Sequence, residues 1–112
     1  MMINREELNT HFDGDEELIG ELVEVFNETY PETLIAVKNA MESEDFSNLE
    51  LHAHTLKGMI ANFFAADLKS AAFELEKMGK EKKIENGNEY YEKLERDLPL
   101  LIDELRSLGS EC

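Results

Sequence analysis

Apolar residues recur along this chain at steps of three and four, the spacing of helices that bury one face. A first short helix is predicted from about Asn4 to Phe12, with Asn4 as its cap. Glu6 and Glu7 fall in its first turn, where the helix dipole favours acids. Asp13-Gly14-Asp15 reads as a turn, and Asp15 as the cap of a second helix carrying Leu18, Ile19, Leu22, Val23 and Phe26. Pro31 either kinks that helix or starts a new segment, and Leu34, Ile35, Val37 and Met41 continue the apolar pattern beyond it. Ser43-Glu44-Asp45 is the next break, with Asp45 capping a third helix whose stripe is Leu49, Ala53, Leu56, Ile60 and Phe63. A fourth helix opens at the cap Asp67, turns Leu68, Ala71, Ala72, Leu75 and Met78 inward, and ends among Lys77, Lys80, Lys82 and Lys83. After a turn at Asn86-Gly87-Asn88, the last helix has a seam of Tyr91, Leu94, Leu98, Leu101, Leu105 and Leu108, with a local kink expected at Pro99.

No segment alternates as a strand would, and there is no internal repeat, low-complexity run or linker. The pattern therefore predicts an all-α domain over residues 1–112, an antiparallel up-down four-helix bundle with a short N-terminal capping helix. Hydrophobic residues make up 42% of the chain, enough for a packed interior despite the charge. The formal net charge is −15, from 26 acidic and 11 basic residues. Such a surface repels phosphate backbones and anionic lipid, which argues against nucleic acid and membrane partners. It leaves room for a basic or Mg²⁺-bearing protein partner, and it favours a monomer. Cys112 is the single cysteine, so no internal disulfide can form and no cysteine cluster points to zinc. The opening MMINREELNTHF lacks the features of a signal peptide, and no apolar run approaches the roughly 20 residues that span a bilayer. A soluble cytoplasmic protein is the expectation.

Candidate chemistry is concentrated in His52-Ala53-His54-Thr55-Leu56-Lys57-Gly58 on the third helix. A rotation of about 100° per residue places His54 well away from the apolar stripe, toward solvent. Glu50, Lys57, Gly58 and Ala61 share its strip, while His52 lies on the opposite flank. Histidines at i and i+2 do not face each other, and the Glu-x-x-His pattern of di-metal bundles is missing, so no metal site is expected. His54 suits an exposed nucleophile, because a neutral imidazole can attack phosphorus. Lys57, one turn on, can neutralise phosphoryl oxygens, and Gly58 removes a side chain that would crowd the ring. Each residue alone has a plainer reading: a solvated or packed histidine, a surface charge, a close helix contact at the glycine. Gly20 and Gly79 show that other helices here tolerate glycine. The three together at this spacing are more specific; His52 and His11 keep the plain reading.

These residues resemble the His-x-x-Lys-Gly motif of the histidine phosphotransfer (HPt) domain family, here His54-Thr55-Leu56-Lys57-Gly58, preceded by Ala53 and followed by Ala61-Asn62. Leu68, Leu75 and Glu76 are similar to the family's recurring leucines and Leu-Glu pair, and Asp15 to Leu18 and Phe26 to Pro31 look like its first long helix. The resemblance implies that His54 takes up and passes on a phosphoryl group at Nε2, with Lys57 assisting by charge and Gly58 by clearance. It implies a phosphorelay carrier without kinase activity of its own or any cofactor. Its partners would be response-regulator receiver domains, which bring the aspartate and Mg²⁺, or a hybrid sensor kinase. The family commonly has a glycine ten residues after the histidine; this chain has Phe64. Phe64 then either packs beneath the first helix or, with Glu50 and Ala61, forms part of an altered docking surface. Two other functions fit the sequence: an acidic helical adaptor without phosphate transfer, and the phospho-acceptor domain excerpted from a chemotaxis-type kinase.

Overall fold

The computed structural model describes residues 3–13 and 15–109, and every regular element among them is an α-helix. In chain order these are α1 (Arg5–Phe12), α2 (Glu16–Glu42), α3 (Phe46–Ala61), α4 (Ala66–Glu81) and α5 (Gly87–Gly109). Gly14 of the expected turn, the Leu108 side chain of the expected seam, and Cys112 lie outside the described residues.

Three helix starts follow from short polar side chains. Asn4 accepts from the Glu7 N–H at 3.0 Å, Asp15 from the Leu18 N–H at 3.0 Å, and Asp45 from the Asn48 N–H at 3.3 Å. Each satisfies a backbone donor that the first helical turn leaves unpaired. The start of α4 differs from the sequence expectation. Its cap is Ala65, which makes no side-chain bond, and Asp67 sits within the first turn. Phe63 and Ala65 are both buried while Phe64 between them turns the chain at φ 57°, so packing and not capping chemistry sets this boundary. At α5 the turn is confined to Asn86, at φ 59°, and Gly87 and Asn88 already belong to the helix.

Pro31 does not start a new segment; α2 runs through it unbroken. Pro31 is exposed, on the side where water can replace the lost backbone bond. Pro99 likewise lies inside α5 without ending it. Leu18 and Ile35, both placed in the apolar pattern of α2, are turned outward at 40% and 57% exposure.

The predicted stripe of α3 is buried throughout, from Leu49 to Phe63. It shares one core with Leu68, Ala71, Ala72, Leu75 and Met78 of α4 and with Tyr91, Leu94, Leu98, Leu101, Ile102 and Leu105 of α5. In space α3 packs against α2 and α4, α5 packs against the same two helices, and α1 touches α2. The α3–α4 contact is the most extensive, and Gly79 shows why it can be so close. A Cβ on Gly79 would lie 2.5 Å from the Glu50 backbone N and 2.8 Å from both Glu50 Cα and the Phe46 carbonyl oxygen. Only glycine fits where two backbones approach in this way. No helix among the described residues is long and apolar enough to cross a membrane.

Candidate functional site

The close approach at Gly79 fixes which residues of α3 and α4 stand opposite one another. One turn before Gly79, the Glu76 side chain lies beneath the strip of α3 that carries His54 and Lys57. Glu76 is buried at 4% exposure, the one charged residue in the core among the described residues. Its Oε2 meets His54 Nδ1 at 2.9 Å and its Oε1 meets Lys57 Nζ at 2.6 Å. The His54 side chain is 64% exposed, so the ring stands in solvent with one edge anchored to a buried acid.

A carboxylate in this position needs compensation. Burial pushes the Glu76 carboxyl up, but the bonds from Lys57 and His54 outweigh it and hold the group below its ordinary value of 4.5. Glu76 is therefore ionised at neutral pH and can only accept hydrogen bonds. The proton in the contact with His54 must then sit on Nδ1, which leaves the lone pair on Nε2, the nitrogen at the free edge of the ring. The arrangement produces one nucleophilic nitrogen, held in one tautomer and facing outward.

Because the folded value is depressed, the stability Glu76 contributes is present above pH 4.5 and is lost as pH falls through the lower folded value. In urea titrations, Glu76→Gln should unfold at lower urea than wild type at pH 7. The gap should close on acidification below the ordinary carboxylate range. A gap that persists unchanged at low pH would show that the carboxylate's charge contributes nothing.

The remaining predicted residues divide into two groups. Glu50 is half-buried beside His54, in a shallow groove with Ser47, Leu51, Glu76 and Lys80. Gly58 is exposed, and a Cβ added there would meet nothing within 4 Å. Its absence of a side chain thus has no packing cause among the described residues, whereas the plain reading of a close helix contact applies to Gly79. Ala61 ends α3, half-buried. Phe64 lies elsewhere, beyond the C-terminal end of α3 at Ala61. Its ring contacts that of His11 with centroids 5.4 Å apart, and its carbonyl accepts from the Asn4 N–H at 3.3 Å. The left-handed backbone at Phe64 accounts for a glycine being favoured at such a place. His52 is half-buried on the other flank, and no carboxylate contacts its ring among the described residues.

Sequence reasoning missed the contacts of Glu76 and the residues packed about Lys57. Lys57 is packed over Phe73, its Nζ 5.1 Å from the ring centroid, and Lys77 lies over the same ring at 5.8 Å. Leu51 and Phe73 are apolar yet 55% and 42% exposed. No group of three or more His, Cys, Asp or Glu residues comes together as a metal site among the described residues.

A helical fold that presents one oriented, unblocked imidazole defines a class of proteins, the helical phosphoryl carriers. Within that class the chain belongs to the histidine phosphotransfer family: the family model "Hpt domain" matches residues 21–108. Its function is that of a phosphoryl carrier in a phosphorelay. Among solved structures it is similar to histidine-containing phosphotransfer protein B (HptB) from Pseudomonas aeruginosa, with a TM-score of 0.86 at 20% identity over 99% of this chain and 96% of that one. At that identity the likeness is one of fold. None of the curated proteins matches the chain.

Proposed function

We propose that His54 is the phosphoryl acceptor, taking the group from the aspartyl phosphate of one receiver domain and returning it to the aspartate of another. The observation that carries this reading is the bond from His54 Nδ1 to the buried Glu76 carboxylate at 2.9 Å. In the forward step the Nε2 lone pair attacks phosphorus, the P–Nε2 bond forms, and the bond from phosphorus to the aspartyl oxygen breaks to restore a carboxylate. The Nδ1 proton stays in its bond to Glu76, which disperses the positive charge that builds on the ring. The reverse step runs through the same atoms. The Mg²⁺ that this chemistry uses belongs to the receiver, and the chain supplies no cofactor and no kinase activity of its own. On this reading α2 to α5 form the antiparallel up-down bundle and α1 its cap, as one domain acting as a monomer in the cytoplasm. Exposed Leu51 in the groove with His54, exposed Phe73 beside Lys57, and the bare backbone at Gly58 offer a partner an apolar and unobstructed approach.

Incubation with a phosphorylated receiver domain should transfer an acid-labile, base-stable phosphate to this chain, and peptide mapping should place it on His54. Phosphate that stays on the receiver, or that maps to another residue, would overturn the proposal.

A further inference from the structure

Lys57 is the obvious cation for a phosphoryl group on His54, but the structure has already engaged it. Its Nζ is 2.6 Å from Glu76 Oε1 and lies over the Phe73 ring, and its side chain is only 22% exposed. Its charge is spent on a buried carboxylate. Lys80 differs on each count. It is exposed, it lines the same groove as His54 and Glu76, and it has no ion-pair partner among the described residues. It lies one helical turn beyond Glu76, so α4 directs both side chains toward the α3 strip that carries His54. Glu50 lines that groove too, and its carboxylate would repel an incoming phosphoryl group unless a cation lay within reach. Ser47 adds a neutral hydroxyl to the same wall.

We infer that Lys80 is the cation that meets the phosphoryl oxygens on His54, while Lys57 is a positioning residue that acts through Glu76. This rests on His54 being the acceptor. A phosphoryl group brings close to two negative charges at neutral pH. Lys80 can turn to them without giving up an existing bond, and in doing so it screens them from Glu50. Lys57 could do so only by leaving Glu76 buried beside a charged neighbour, which is costly.

The test uses the whole chain and phosphoramidate as a small phosphoryl donor, so that partner docking plays no part. In ³¹P spectra followed against pH, Lys80→Gln should raise the pH at which the phosphoryl dianion takes up a proton, and Lys80→Arg should restore it. Uptake should slow by about 5-fold in Lys80→Gln, the scale of one solvent-exposed charge pair. Lys57→Gln should leave the phosphoryl titration in place and instead alter the ¹⁵N signals that report the proton on His54 Nδ1. A phosphoryl titration that moves with Lys57→Gln and not with Lys80→Gln would overturn the inference. If wild type forms no phosphohistidine at residue 54, it is the acceptor reading itself that fails.

Discussion

Phosphate uptake from a phosphorylated receiver should fall at least about 100-fold in His54→Gln, because removing a lone nucleophile leaves no substitute at the site. The variant should fold normally, since the His54 side chain is 64% exposed and a glutamine amide can still donate to Glu76. Circular dichroism and urea unfolding close to wild type would separate lost chemistry from lost structure. The other two histidines provide the control. His11 meets Phe12 and Phe64 edge-on at the end of α1, and His52 is half-buried on the far flank of α3. Neither ring has the buried carboxylate that fixes the tautomer of His54. His11→Gln and His52→Gln should therefore take up phosphate at the wild-type rate. Uptake that survives in His54→Gln and disappears in either of the others would move the acceptor elsewhere.

The largest effect on stability is expected at a glycine outside the motif. Gly79→Ala places a Cβ 2.5 Å from the backbone N of Glu50, closer than any real contact, and the atoms in its way are backbone and cannot rotate aside. The α3–α4 pair must then separate, and the cost should be about 2 kcal/mol even after the helix propensity gained by alanine. The urea midpoint should fall, and transfer should fall with it, because Glu76 is displaced from His54 and Lys57 when the helices part. Gly58→Ala should separate the two effects. Its new Cβ meets nothing within 4 Å, so the helix gains up to about 1 kcal/mol, while transfer from a receiver slows because the methyl stands in the partner's path. A stable Gly79→Ala would show that the two backbones have room to spare.

These two glycines mark how much of the molecule was legible in the sequence. The stripes of α3, α4 and α5 could be read because burial on a helix has a period, and each residue from Leu49 to Phe63 in the α3 stripe is buried as the spacing requires. The outward angle of His54 came from the same arithmetic. Angle alone does not say which neighbouring helix stands beside a strip, and Lys57, read as a free outward charge, proved to be tied to Glu76 across 19 positions of sequence. One signal was present: Glu76 falls between Ala72, Leu75 and Gly79 on the inward face of α4, where an acid is rarely found without a partner. The start of α4 left no signal, because Ala65 caps it by burial and makes no side-chain bond. Gly58 and Gly79 look alike in a list of helical glycines. One faces open space and the other a neighbouring backbone, a distinction that exists only once the helices are assembled.

The single bond that anchors the His54 ring also has an entropic consequence. A surface histidine samples several rotamers, and a partner must freeze one of them at a cost of about 0.5–1.5 kcal/mol for each ordered side chain. Here that ordering is done during folding, when Nδ1 finds Glu76 at 2.9 Å. On the proposed function, a donor and a later recipient, differing in shape, would meet the same nitrogen in the same orientation. Neither has to select it from an ensemble.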